Sequence, residues 1–222
     1  MPTNVCDPKL AKHPSRSGRR QALLIIRQSL DMKFRSILSI ALFTLVALLG
    51  YAVWAFGSSL FSSEPAMYAG CALAFLGLGG PALLPDSGDT GGRHIRFCLS
   101  FSLAFLVYAF FWSVSWFSLP TTFGEIIGSS IGLAGFALVY RGIMGYRVPI
   151  TTATATLFLW HSVGYYAGDF LYAAIQGRGP AAMSLDWEPT KIRHTARLSW
   201  GLCYGVGLGL GINRFLHLSR QS

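Results

Sequence analysis

Residues Val148–Ile175 read VPITTATATLFLWHSVGYYAGDFLYAAI. A helix rises about 1.5 Å per residue, so about 20 mainly apolar residues cross a hydrocarbon layer. This stretch is long enough, and it predicts a membrane-spanning helix. His161, Tyr165 and Asp169 fall four residues apart within it, a spacing that sets them on one helix face. The other apolar runs read mainly as packing. Chemistry inside the membrane, if the chain performs any, is therefore expected here.

Composition supports the same class. The 222 residues are 52% hydrophobic and 12% charged, against roughly 25% charged in a soluble domain. A mean hydropathy of +0.47, 25 Gly and 14% aromatics fit membrane helices, which tolerate Gly and gather Trp and Tyr at interfaces. The net charge of +9 raises nucleic acid as a partner. The basic residues, however, sit before the first apolar run and beside later ones, as topology signals do, and no nucleic-acid partner is expected. Cys6, Cys71, Cys98 and Cys203 form no CxxC pair, and neither a disulfide framework nor a zinc site is read.

The fold expected is an all-α polytopic bundle with spans at 36–56, 66–84, 97–117, 123–140, 149–175 and 197–216. Residues 1–35 form a basic cytoplasmic tail that engages anionic lipid headgroups. Residues 1–20 lack apolar periodicity. From Gln21, Leu23, Ile26, Leu30, Phe34 and Ile37 recur at helical spacing, giving either an amphipathic interfacial helix or an extension of the first span. Residues 217–222 form a short tail. From Met32 the chain resembles a signal peptide, but its apolar run continues through Phe56, which favours a retained helix.

Within span two, Gly77–Pro81 reads as a kink or loosely wound segment, or else as the frayed end of the span. The loop Pro85–Arg96 has neither a phosphate-loop nor a calcium-loop pattern, so Asp86 and Asp89 read as turn residues. In span three, Phe101, Phe105, Tyr108, Trp112 and Trp116 form an aromatic stripe that faces lipid or fills the bundle. Pro120 closes a tight turn that makes spans three and four antiparallel neighbours.

Glycines recur at four-residue steps: Gly124, Gly128 and Gly132; Gly164 and Gly168; Gly201, Gly205 and Gly209, with Gly207 and Gly211 offset. Such small-xxx-small faces let helix backbones approach closely. Span five is expected to pack on a glycine-faced partner, span four or span six.

Six spans place both termini on one side. With the N-terminus inside, inner segments hold fourteen Lys and Arg and outer segments hold Arg178, Lys191, Arg193 and Arg197. That asymmetry predicts N-in/C-in, in a bacterial plasma membrane, or in an organelle membrane if the Arg-rich N-terminus is a transit peptide.

Ionisable groups within a span cost about 2.5–3.5 kcal/mol at its centre. Counting from Pro149, His161 lies roughly 18 Å in, past the midplane, and Asp169 roughly 30 Å in, near the outer boundary. Glu125 opens span four at that outer level. Each has two readings. Thr122-Phe-Gly-Glu125 matches a capping box. Asp169 meets interfacial water or pairs with Arg178 or Arg197. His161 makes one interhelical hydrogen bond. Alternatively His161, Tyr165 and Asp169 form an outward polar ladder with Glu125 opposite, and histidine–carboxylate chains relay protons in transporters.

The first functional reading is thus a small channel or an ion- or proton-coupled transporter. The second is a non-catalytic membrane assembly subunit that binds itself or another protein. A membrane enzyme is third, because the five scattered histidines give no metal spacing and no midplane pair for a haem. No catalytic residue, metal or cofactor is expected.

Overall fold

The computed structural model describes residues 16–57, 61–87 and 93–221, with side chains described outside 16–23, 64–65, 85–87 and 121. The expected lipid-binding tail before Arg16, and Asp86 and Asp89 as turn residues, lie outside the described side chains. Among the described residues the secondary structure is all-helical: α1 (Arg16–Phe56), α2 (Glu64–Ser87), α3 (Arg93–Ser118), α4 (Thr121–Met144), α5 (Ile150–Ile175) and α6 (Pro189–Gln221). Among the described residues, four segments are long and apolar enough to cross a membrane: Leu24–Phe56, Ala66–Leu84, Arg93–Ser118 and Thr122–Met144. Helices α5 and α6 have 26 and 33 residues. Helix α5 carries four Thr, His161 and Asp169 among its apolar residues, and α6 carries four Arg, Lys191, two His and five Gly.

The helices overrun the apolar runs that hydropathy detects, because polar turns continue a helix outside an apolar layer. Two boundaries move for local reasons. The last loop ends at Glu188 and not at Ala196, since Pro189 begins α6, a first-turn position at which proline's missing N–H costs nothing. Gly77–Pro81 stays within continuous helix in α2. Its glycines admit α3: a methyl group on Gly80 would lie 2.8 Å from Cys98 Cα, and Gly79 faces the Phe101 ring.

The chain divides into two compact units, Met1–Phe34 and Arg35–Ser222. In the first, Leu24, Ile25, Ile26, Leu30 and Phe34 are all exposed. The second contains the bundle. Its core is aromatic: Phe43, Phe75, Phe97, Phe101, Phe105, Tyr108, Phe136, Tyr140, Tyr204 and Phe215 are buried. The inner part of the α3 stripe thus fills the bundle, while Trp112 and Trp116 stack on each other at 5.1 Å.

Two antiparallel hairpins organise this unit. In the first, α3 and α4 meet backbone to backbone. A methyl group on Gly124, Gly128 or Gly132 would come within 2.7–2.9 Å of Ser115 O, Ser115 Cβ or Tyr108 O respectively. In the second, the partner of α5 is α6. A methyl group on Gly164 would lie 2.6 Å from Cys203 O and 2.8 Å from Gly207 Cα. Helix α6 carries two glycine faces: Gly207 and Gly211 meet α5, while Gly201, Gly205 and Gly209 meet Tyr51, Ala47 and Phe43 of α1. Gly168 meets the indole of Trp200.

Between the hairpins, Gly145 ends α4 in the left-handed region (φ 77°) and its N–H donates to Arg141 O at 2.8 Å. This is the common glycine solution to a helix C-terminus. Arg141 donates to Val148 O at 3.0 Å, and Arg96 of α3 donates to Ile143 O. The α4–α5 turn is thereby tied to the start of α3.

Candidate functional site

His161 sits midway along α5 and is 1% exposed. An imidazole at such depth needs a polar partner, and α3 supplies it. The Tyr108 hydroxyl lies 2.8 Å from His161 Nε2 and 3.3 Å from the Tyr204 hydroxyl of α6. Tyr108 and Tyr204 are themselves near the middle of their helices, so three helices meet at one level through hydroxyl and imidazole.

Two proton arrangements satisfy this group. Tyr108 O–H donates to Nε2 and Tyr204 O–H donates to Tyr108, or His161 Nε2–H donates to Tyr108. In either arrangement Nδ1 of His161 is buried without a hydrogen-bond partner. Such a group costs about 1–3 kcal/mol relative to a satisfied one. The ring is held in place by aromatic neighbours. It stacks on Tyr165 at 5.7 Å and 16°, and meets Tyr204 and Tyr108 edge-on at 5.6 and 5.7 Å. Below it, the space between Tyr108, Leu157, Phe105 and Leu208 is apolar and admits no water-sized sphere.

Glu125 does not close the capping box expected of Thr122–Glu125. Helix α4 starts at Thr121 with Pro120 at its cap, and no side chain caps it. Thr122 therefore lies inside the first turn, where it cannot act as the cap. Glu125 Oε1 instead accepts a hydrogen bond from Tyr165 O–H at 3.2 Å, linking α4 to α5. Asp169, one turn beyond Tyr165, is exposed. The two arginines offered as its partners are engaged elsewhere. Arg197 donates to Trp54 O at 2.7 Å and covers the Trp54 ring, while Arg178 donates to Gln176 and lies over Tyr172.

The expected residues thus separate into two environments. His161 and Tyr165 are buried, joined by ring stacking but by no hydrogen bond, and each reaches a different helix. Glu125 is half-buried and bonds Tyr165, and Asp169 faces outward. An aromatic cluster of Tyr51, Trp54, Tyr172 and Trp200 surrounds the outer end of this seam, and Trp200 packs edge-on against Tyr165 at 5.4 Å.

Tyr108 and Tyr204 surround His161 from helices that lie far from it in sequence. The signal for this in the sequence was their depth. Counting turns along α3 and α6 places both hydroxyl-bearing rings at the level of His161, and a buried mid-helix tyrosine needs a partner for its O–H. Comparison with protein-family models, with curated proteins and with solved structures found no match to this chain.

Proposed function

We propose that the chain is an integral membrane protein of six spans, N-in/C-in, in a bacterial plasma membrane. We propose further that it acts as a non-catalytic assembly subunit, a close-packed unit that supports or binds other membrane components. The observation that carries this is His161. Among the described residues it is the one fully buried His, Lys, Arg, Asp or Glu, and it is enclosed by Tyr108, Tyr165 and Tyr204 and bonded to Tyr108, so its chemistry goes into joining three helices. Helices α5 and α6 expose Leu159, Val163, Phe170, Leu202 and Val206, as the other four helices expose their own large apolar residues. Apolar exposure of this extent on every helix supports counting all six as spans.

A second reading, a small channel or proton-coupled transporter, is favoured by one observation: Tyr165 links the neighbourhood of His161 to Glu125 near the outer end of α4. A relay along that line would have to cross from His161 to Tyr165 at a stacked contact, where no hydrogen bond runs.

Reconstitution separates the two. Full-length protein in liposomes loaded with a pH-sensitive dye is expected to give proton flux no greater than empty liposomes under an imposed potential and pH gradient. Flux above that background that is lost in His161→Ala and Glu125→Gln, with both variants folded, would overturn the assembly reading and establish the relay.

A further inference from the structure

An apolar groove of about 480 Å³ runs along the outside of the bundle between α1 and α6, lined on α1 by Ile37, Ala41, Leu45 and Leu48 and on α6 by Leu202 and Val206. It follows from the seam beside it. Gly205 and Gly209 let α6 come against Thr44, Ala47, Ile40 and Phe43 of α1, and the small side chain of Ala41 leaves a trough along the outer side of that seam. From Ile37 to Leu48 the trough is roughly 16 Å long at about 1.5 Å per residue. That is about half of a hydrocarbon layer roughly 30 Å thick, or one leaflet.

Basic residues gather at one end of the groove. The glycine contacts fix an antiparallel register: Gly201 meets Tyr51, Gly205 meets Ala47, and Gly209 meets Phe43. Continuing it sets the last turns of α6 beside the Arg35–Ile37 end of α1. Those turns carry Arg214, His217 and Arg220, and Arg35 stands on the α1 side. From Arg35 to Phe56, and throughout α6, neither helix contains Asp or Glu; Asp31 lies one turn before Arg35 on α1, and His217 shares a hydrogen bond with Gln221 at 3.0 Å. The opposite end of the groove, at Leu48 and Leu202, lies at mid-helix depth and is apolar.

We infer that this groove holds an acyl chain of an anionic phospholipid, with the phosphate among the basic residues at the end of α6 and Arg35. The inference rests on the membrane reading above and adds to it a lipid of defined charge and a defined leaflet, the one on the side of Arg35 and Arg214. Cationic residues near a membrane surface attract acidic lipid, and the groove adds apolar burial for one chain.

The test uses full-length protein, extracted in mild detergent and titrated with phosphatidylglycerol or phosphatidylcholine of matched chains, read by native mass spectrometry. Phosphatidylglycerol is expected to be retained at least about fivefold more than phosphatidylcholine, which corresponds to about 1 kcal/mol. Arg214→Gln with Arg220→Gln should reduce that preference to about twofold or less. Ala41→Trp, on an exposed position, should fill the trough and lower retention of both lipids while leaving the melting temperature unchanged. Equal retention of the two lipids by the unsubstituted protein, or full phosphatidylglycerol retention in Ala41→Trp, would overturn the inference. Alkaline carbonate extraction tells the two claims apart. Protein that stays with the membrane pellet but shows no lipid preference defeats only the groove, whereas protein released into the supernatant defeats the membrane reading and the groove with it.

Discussion

The seams inside each hairpin and the seam between the hairpins are built in opposite ways. Inside, α3 meets α4 and α5 meets α6 through glycine, and backbone lies against backbone with no side chain between. Between, α3 and α4 reach α5 and α6 through large rings: Tyr108 to His161 and Tyr204, Glu125 to Tyr165, and Phe136 and Tyr140 to Phe215. A lipid environment supplies no hydrophobic drive for helices to associate, so close packing and interhelical hydrogen bonds must do it. Within each hairpin the molecule uses the first device and between the hairpins the second, and α6 repeats the glycine device against α1. The glycine seam depends on excluding atoms, and the ring seam depends on specific atoms being present.

The sharpest break of that comparison is a side chain forced into a glycine seam. Gly164→Leu places Cβ 2.6 Å from the Cys203 carbonyl, a backbone atom that cannot swing aside. Overpacking costs about 1–3 kcal/mol in cores that can relax, and this seam has less freedom to do so. The expected result is a loss of folded monomer in detergent, or a fall of at least about 3 kcal/mol in stability. Gly77→Ala in α2 is the control: nothing lies within 4 Å of its added methyl group. Removing glycine's backbone freedom from a helix there is expected to stabilise by about 0.5–1 kcal/mol. Equal effects at the two sites, read by thermal melting, would mean that close approach of α5 and α6 contributes nothing.

How much of this was legible in the chain follows the same division. The small-xxx-small spacing marks glycine faces directly, because helical periodicity is local. It does not say which helix each face meets, and Gly207, offset from the regular set, proved to be the residue against Gly164. Depth arithmetic found His161, since counting from Pro149 needs only one span. Its partners lie 53 residues before it, at Tyr108, and beyond the next loop, at Tyr204. Only packing brings those three levels into one place. Glu125 fitted a capping pattern in sequence, and the start of α4 at Thr121 removed the geometry that pattern requires.

A middle-sized effect tests whether the ring seam is held by its hydrogen bond or by its rings alone. Tyr108→Phe keeps the ring and deletes the hydroxyl, and His161→Phe keeps an aromatic plane and deletes both nitrogens. Interhelical hydrogen bonds in membranes average about 0.6 kcal/mol and reach about 1.7. Tyr108→Phe should therefore destabilise by that range. The double variant should cost less than the sum of the singles by a similar coupling energy. A coupling of zero in the cycle would assign the seam to shape and leave the Tyr108–His161 approach incidental. His161→Phe on its own should cost less than His161→Ala, because the phenyl ring preserves the stack on Tyr165 and also removes the buried, unpaired Nδ1.

The smallest effect marks where the seam ends. Tyr165→Phe removes the donor to the half-buried Glu125 side chain, and a typical neutral hydrogen bond contributes a net of about 0.5–1.5 kcal/mol. Asp169, one turn further out, is exposed, and the two arginines offered as its partners, Arg178 in the loop after α5 and Arg197 on α6, are held by Gln176, Tyr172 and Trp54. Asp169→Asn is therefore expected to change stability by no more than about 0.5 kcal/mol, the usual range for a surface substitution away from such contacts. The pair is measured together by thermal melting in one detergent. If Asp169→Asn costs as much as Tyr165→Phe, the polar ladder extends a full turn beyond Glu125 and the four polar residues act as one unit. If it does not, the face shared by His161, Tyr165 and Asp169 is a consequence of helical spacing, and the interaction that spacing suggested stops at Tyr165.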